Sequence, residues 1–140
     1  MDVSTLDPDR QIEAKRVRRC LEDLMLAFNK SDMLSAAQHY SKTALVMLPG
    51  EIIQKGRIAV AKTCRKSLDF FEVDIEGKGW LQYEVDQILI LKDDMAVTTI
   101  KSATWDTKGI PTNKFIGLGV FKKDEGDWYL HIEIFNAVED

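Results

Sequence analysis

Apolar residues in the first part of the chain recur at the helical spacings of three and four positions. The residues that define this face are Val17, Cys20, Leu21, Leu24, Met25 and Phe28. Asp7 is a suitable N-cap and Pro8 suits a first helical turn, so the pattern predicts a long helix that begins there. Ser31 or Asp32 can cap a second, shorter helix that ends near Tyr40.

Strands dominate the second part of the chain. Residues 44–48 predict a short strand that ends at a Pro-Gly turn, and residues 57–70 predict a third helix. The long extended segments that follow are residues 80–92, 95–105 and 113–123, and then the closing strand. Because no repeat or linker interrupts the pattern, we expect one domain over residues 1–140, with residues 1–6 as a short disordered N terminus.

Two glycine-containing turns determine the expected register of the last strands. The loops after Asp106 and Lys123 each carry glycine in the third position, which is typical of a three-residue hairpin loop. Asp106 then pairs with Ile110, and Lys123 with Asp127. One face of the sheet would carry Lys101, Ala103, Trp105, Phe115, Gly117, Gly119, His131, Glu133 and Phe135. The opposite face would carry Ile100, Ile116, Leu118, Val120, Leu130, Ile132 and Ile134.

The aliphatic face requires a cover that the helices cannot provide. Helices packed on one side of the sheet leave the other side in water, and a large exposed apolar patch marks an interface. We therefore predict a homodimer formed through this outer face.

Composition excludes several other classes. The 140 residues are 45% hydrophobic and 30% charged, as is typical of a globular protein, and the net charge of −4 argues against nucleic acid as a partner. The absence of a long apolar run or a signal-peptide pattern argues against a membrane partner and for a cytoplasmic protein. Cys20 and Cys64 are expected to be core thiols, and the spacing of the histidines predicts no metal site. No cofactor is expected.

The order of elements resembles the cone-shaped fold of the nuclear transport factor 2-like superfamily. Its members include ketosteroid isomerase, SnoaL-like polyketide cyclases and the association domain of calcium/calmodulin-dependent protein kinase II. The resemblance rests on residues 21–51, on the Gly56-Arg57 entry to the third helix, and on GDWYLHIEIFN at residues 126–136. It implies an α+β cone-shaped roll, in which three helices pack in a curved, mainly antiparallel sheet. It also implies a pocket on the concave side and a homodimer through the convex side.

The resemblance to the kinase association domain, whose pocket carries basic side chains, places Lys101 in the pocket. The predicted pocket residues are Lys101, Glu133, His131, Trp105, Tyr40 and Phe135. Three interpretations of Glu133 remain open: a structural pair with Lys101 or a backbone group, a ligand site where Lys101 holds an anionic group, and acid–base catalysis by Glu133 or His131. Asp86 is an alternative partner for Lys101.

Ketosteroid isomerase activity is not expected, because Leu24 and Leu48 replace the tyrosine and aspartate of that enzyme. The sequence therefore favours a homodimeric, non-catalytic module with a central pocket that binds a small molecule or associates with a protein. The alternative is a small-molecule enzyme of the cyclase, isomerase or dehydratase type that uses Glu133 or His131 as acid or base.

Overall fold

A computed structural model describes residues 7–30, 32–48, 52–70, 79–106 and 108–138. The helices are α1 (Pro8–Asn29), α2 (Met33–Gln38) and α3 (Arg57–Phe70). The strands are β1 (Tyr40–Met47), β2 (Gln54–Lys55), β3 (Gly79–Lys92), β4 (Met95–Asp106), β5 (Pro111–Asp124) and β6 (Asp127–Ala137). The expectations for residues 1–6, for the turn after residue 48 and for the Cys64 side chain lie outside the described residues.

The first two helices begin where their capping residues predict. The Asp7 carboxylate accepts a hydrogen bond from the backbone N–H of Arg10 at 2.9 Å. Asp32, rather than Ser31, caps α2 by accepting from the backbone N–H of Ser35 at 3.1 Å. These bonds satisfy N–H groups that have no partner within the helix.

The six strands form one sheet in the order β2-β1-β6-β5-β4-β3. Only β1 and β6 pair in parallel, and the other described pairs are antiparallel. Helix α1 contacts β3 and β6, and α3 contacts β1 and β2. We call the helix-covered side of this curved sheet the inner face and the other side the outer face. The predicted α+β cone is thus confirmed.

The β4–β5 hairpin has the predicted loop but a different register further along. Gly109 has φ +78°, and the N–H of Asp106 bonds to the carbonyl of Ile110 at 3.0 Å. The register then shifts by one residue between Thr104 and Trp105. A one-residue shift exchanges the two faces of a strand. Lys101 therefore pairs with Ile116 and not, as predicted, with Phe115.

The β5–β6 hairpin has a two-residue loop instead of the predicted three. Glu125 and Gly126 have φ +50° and +86°, the positive values that a type I′ turn requires, and Asp124 pairs with Asp127. A β-bulge at His131 then adds a second shift, because Phe121 pairs with Leu130 and Val120 with Ile132.

Because of these shifts, two residues that were predicted on the outer face lie on the inner face. Ile100 and Leu130 are 1% and 0% exposed in the core. The predicted outer residues that remain on the outer face are Ile116, Leu118, Val120, Ile132 and Ile134. The aliphatic outer face is therefore smaller than expected, but it is continuous across β5 and β6.

A polar cluster fastens α1 to the β5–β6 hairpin. The Glu13 carboxylate accepts from Trp128 Nε1 at 2.5 Å and pairs with Lys123 Nζ at 3.2 Å and with Arg16 at 3.1 Å. Arg16 also donates to the Gly126 carbonyl. Burial acts to raise the pKa of Glu13, but the bonds from Trp128 and Lys123, with the charges of Arg16 and Lys123, lower it overall.

We expect Glu13→Gln to lower the free energy of unfolding by about 1–2 kcal/mol, because the Trp128 and Lys123 donors lose a charged acceptor. Since the folded-state pKa is lowered, this contribution is present at neutral pH and disappears as the pH falls through that pKa. Chemical denaturation at pH 7 measures it. Glu22→Gln, at an exposed position on the same helix, is the matched control and should change the stability by less than about 0.5 kcal/mol.

Candidate functional site

Glu133 lies on the inner face, as predicted, but it is enclosed. It is 1% exposed and pairs in the sheet with Val46 of β1 and Gly119 of β5. The Tyr40 hydroxyl, also fully buried, donates to Glu133 Oε1 at 3.1 Å. Within the described residues, Glu133 Oε2 has no hydrogen-bond partner.

This environment favours the neutral carboxyl group. Burial raises the pKa of Glu133 to about 7, and the hydrogen bond from Tyr40 only partly opposes this increase. At neutral pH the group is therefore divided between its two protonation states. Chemically, the Glu133–Tyr40 pair is a hydroxyl beside a carboxyl group that can gain or lose a proton.

The space beside the two mid-strand glycines is filled with side chains. A Cβ on Gly117 would lie 2.5 Å or less from atoms of the Phe135 ring, so this ring packs directly on the glycine. A Cβ on Gly119 would meet Thr98, Ile100 and Leu130. Packed side chains therefore occupy the space beside both glycines, and Phe135 is a core residue, 6% exposed.

Lys101 and Trp105 lie on the outer face, which corrects their predicted position in the concavity. The Lys101 ammonium is 3.9 Å from the Asp86 carboxylate, and the two side chains are 59% and 54% exposed. Lys101 and Trp105 line a shallow outer-face depression of about 370 Å³ together with Glu84, Lys114 and Ile116. Of the two partners considered for Lys101, the structure gives Asp86. The role of Lys101 and Trp105 in ligand binding stays a prediction.

We expect the substitutions Lys101→Met and Glu133→Gln to be additive in a double-mutant cycle. The two side chains lie on opposite faces of the sheet, so the coupling energy should be within about 0.5 kcal/mol of zero. Denaturation of the two single variants and the double variant at pH 8 measures this coupling. A coupling above 2 kcal/mol would mean that Lys101 compensates the Glu133 charge after all.

His131 lies at the β-bulge and faces outward, not toward Glu133 as predicted. The Ser41 hydroxyl is 2.7 Å from His131 Nδ1. Burial, and secondly the charge of Lys122, lower the pKa of His131 below its ordinary value, so the ring is neutral at pH 7. Sequence reasoning missed Ser41 as its partner, since the bulge and the irregular β1–β6 register that bring them together have no signal in the sequence.

Solved structures of several proteins share this architecture. A ketosteroid isomerase-like protein from Erwinia carotovora atroseptica superposes with a TM-score of 0.71 at 18% identity, over 91% of this chain and 98% of that one. A protein named as a calcium/calmodulin-dependent protein kinase type II association domain, from Thiobacillus denitrificans, gives 0.72 at 13% identity, over 87% and 94%. A nuclear transport factor 2-like protein from Novosphingobium aromaticivorans gives 0.75 at 12% identity, over 93% and 85%.

These similarities confirm the fold that the resemblance implied: the chain has the nuclear transport factor 2-like, or cystatin-like, fold. No protein-family model matches the sequence, and no curated protein matches it either. None of the helices in the described ranges is both long and apolar enough to cross a membrane. Leu24 and Leu48, which were predicted to occupy the positions of the isomerase's tyrosine and aspartate, are buried core residues.

Proposed function

We propose that this protein is a homodimeric association module without catalytic activity, and that two copies pair through their outer sheet faces. The observation that carries this proposal is the exposure of Ile116 (51%) and Leu118 (39%) in the middle of β5. Ile132 and Ile134 lie beside them on β6 and are half-buried. Isolated exposed apolar residues are normal, but a continuous group on a flat strand surface favours a protein partner.

The dimensions of the outer face suit a second copy of the chain. Strands β3 to β6 contain 11 to 14 residues each, which gives a length of about 40 Å at roughly 3.3 Å per residue. At about 4.8 Å between strands, the four strands cover an area of several hundred Å², close to the roughly 800 Å² that each partner of a stable dimer buries.

The charges on this face favour pairing with itself. Lys101 and Lys114 lie on it beside Glu84 and Asp86, and Glu84 directly opposes Lys101 in the β3–β4 register. A two-fold axis brings the same patch of both copies together, so a patch with both signs can match its own charges. A face with charges of one sign would repel its copy.

The enclosure of Glu133 supports the non-catalytic part of the proposal. A general acid or base must come within hydrogen-bond distance of its substrate, and the Glu133 carboxyl is 1% exposed behind packed side chains. One observation favours the enzyme alternative: the pKa of Glu133 is about 7 and a tyrosine hydroxyl contacts it. A small molecule that raises the melting temperature of the wild type but not of Glu133→Gln would support that alternative.

The emission of Trp105 tests the location of the interface. Trp105 lies on the outer face next to Ile116, and dimerisation should bury it further. We expect the tryptophan emission of the protein to shift to longer wavelength on dilution from micromolar to nanomolar concentration, and we expect Trp105→Phe to reduce the shift. Trp80 pairs with Trp105 in the β3–β4 register, so part of the shift can remain in this variant. A shift that Trp105→Phe leaves at full size, or no shift across a measured dissociation, contradicts an interface at this face.

A further inference from the structure

Three hydrogen-bond donors that have no acidic partner among the described residues lie around Tyr129 of β6, near the β5–β6 hairpin. They are the Arg57 guanidinium, the Lys122 ammonium and His131 Nε2. Among the described residues, Lys122 and Arg57 form no ion pair, and the His131 ring has no hydrogen bond besides the one to Ser41.

The contact with Ser41 bears on which nitrogen of the His131 ring carries the proton. Ser41 is 9% exposed, and its hydroxyl lies 2.7 Å from Nδ1. The neutral ring accepts at one nitrogen and donates at the other. When the Ser41 hydroxyl donates to Nδ1, the proton of the ring is on Nε2, which becomes a fixed donor. His131 lies at the bulge, on the outer side of the sheet.

The Arg57 side chain is held through its Nε atom and through the face of its guanidinium group. Its Nε donates to the Tyr40 carbonyl at 2.8 Å, and its guanidinium carbon lies 5.8 Å from the centre of the Tyr129 ring. These contacts orient the plane of the guanidinium group and leave its two terminal nitrogens without protein partners among the described residues. An arginine oriented in this way is suited to hold two oxygens of one anion.

Lys122 completes the group from the neighbouring strand. It pairs with Tyr129 in the β5–β6 register, and its charge acts on the His131 ring. The acidic residues nearest along the hairpin are Asp124 and Asp127, which pair with each other further toward the turn. Among the described residues, neither of them forms an ion pair with Lys122 or Arg57.

We propose that Arg57, Lys122 and His131 form a binding site for a phosphate monoester group at the hairpin end of the outer face, next to the apolar residues of the interface and separate from Glu133. Two cationic groups and one neutral N–H donor match the charge and the several acceptor oxygens of a phosphate monoester dianion. The occupant is a small soluble phosphorylated compound rather than a lipid headgroup, because His131 and Arg57 are both half-buried.

Inorganic phosphate is the probe for this site, and it is titrated into the full chain at constant ionic strength while backbone amide shifts are followed by NMR. We expect saturable binding, with the largest shifts at residues 41, 57, 122 and 129–131. Lys122→Gln should weaken binding about tenfold, since it removes one charge-assisted contact. Ser41→Ala should weaken it severalfold and Ser41→Thr should restore it, because only the tautomer of His131 depends on the hydroxyl.

Lys62→Gln is the matched control, because it removes the same charge from an exposed position on α3. An equal loss of affinity in Lys62→Gln and Lys122→Gln would overturn the proposal, since it would show general screening. Scattered shifts or no saturation would also overturn it. Vesicles that contain phosphatidic acid form the second arm: binding to vesicles without binding of free phosphate would contradict a soluble ligand.

Discussion

Replacing Glu133 with glutamine should stabilise the protein at alkaline pH by about 3 kcal/mol. The folded-state pKa of about 7 lies well above the ordinary value of 4.5, and each unit of difference corresponds to about 1.4 kcal/mol. Below pH 4.5 the carboxyl is neutral in the folded and the unfolded chain, so glutamine and glutamic acid should be equivalent there. As the pH rises from 4.5 to 7, the wild type loses stability and the variant does not.

Urea denaturation of both proteins from pH 4 to pH 9 measures this difference. Glu22→Gln serves as the control, because Glu22 is exposed on α1 and its substitution should give a small difference that does not change with pH. If the free energy of unfolding of Glu133→Gln differed from that of the wild type by an equally small amount at every pH, the result would contradict the enclosure of the Glu133 carboxyl. A loss of stability at pH 8 would mean that another group compensates the ionised carboxylate.

Leu118→Arg should raise the dissociation constant of the homodimer by at least about a hundredfold. The two-fold axis introduces the arginine twice, and each unpaired charge buried in an apolar interface costs several kcal/mol. The monomer should remain folded, because Leu118 is 39% exposed and does not belong to the core. The circular dichroism spectrum should therefore be unchanged while the dimer dissociates.

Leu34→Arg is the matched control for this substitution. Leu34 is a 76% exposed leucine on α2, on the helical side of the sheet. The substitution Leu34→Arg should leave the dissociation constant of the homodimer unchanged. If both variants dissociate equally, or if Leu118→Arg remains as associated as the wild type, the interface does not include the outer face of β5.

The elements of the fold could be predicted because their signals are local. Helical spacing and the caps at Asp7 and Asp32 indicate where the first two helices begin. The glycine in the third position of the loop after Asp106 indicates the hairpin, and in the structure this residue has a positive φ. These features depend on residues close together in the chain. The position of Glu133 on the inner face was also predicted correctly, although by the wrong register.

The register was harder to predict because a single extra residue exchanges the faces of a strand. The loop at Glu125-Gly126 and the bulge at His131 each shift the β5–β6 pairing by one residue. The two shifts together return Glu133 to the inner face but leave His131 outside. The shift after Thr104 moves Lys101 outward in the same way. Bulges depend on packing across the sheet, so the chemistry at Ser41 and Arg57 could not be found from local patterns.

The homodimer is the central claim of this account, and sedimentation equilibrium of the wild-type protein between about 1 and 50 µM tests it most directly. The range covers the dissociation constants expected for an interface of this size. The account predicts a single species of twice the chain mass in the upper part of the range. A species of one chain mass at every concentration, with the spectrum of a folded protein, would contradict it.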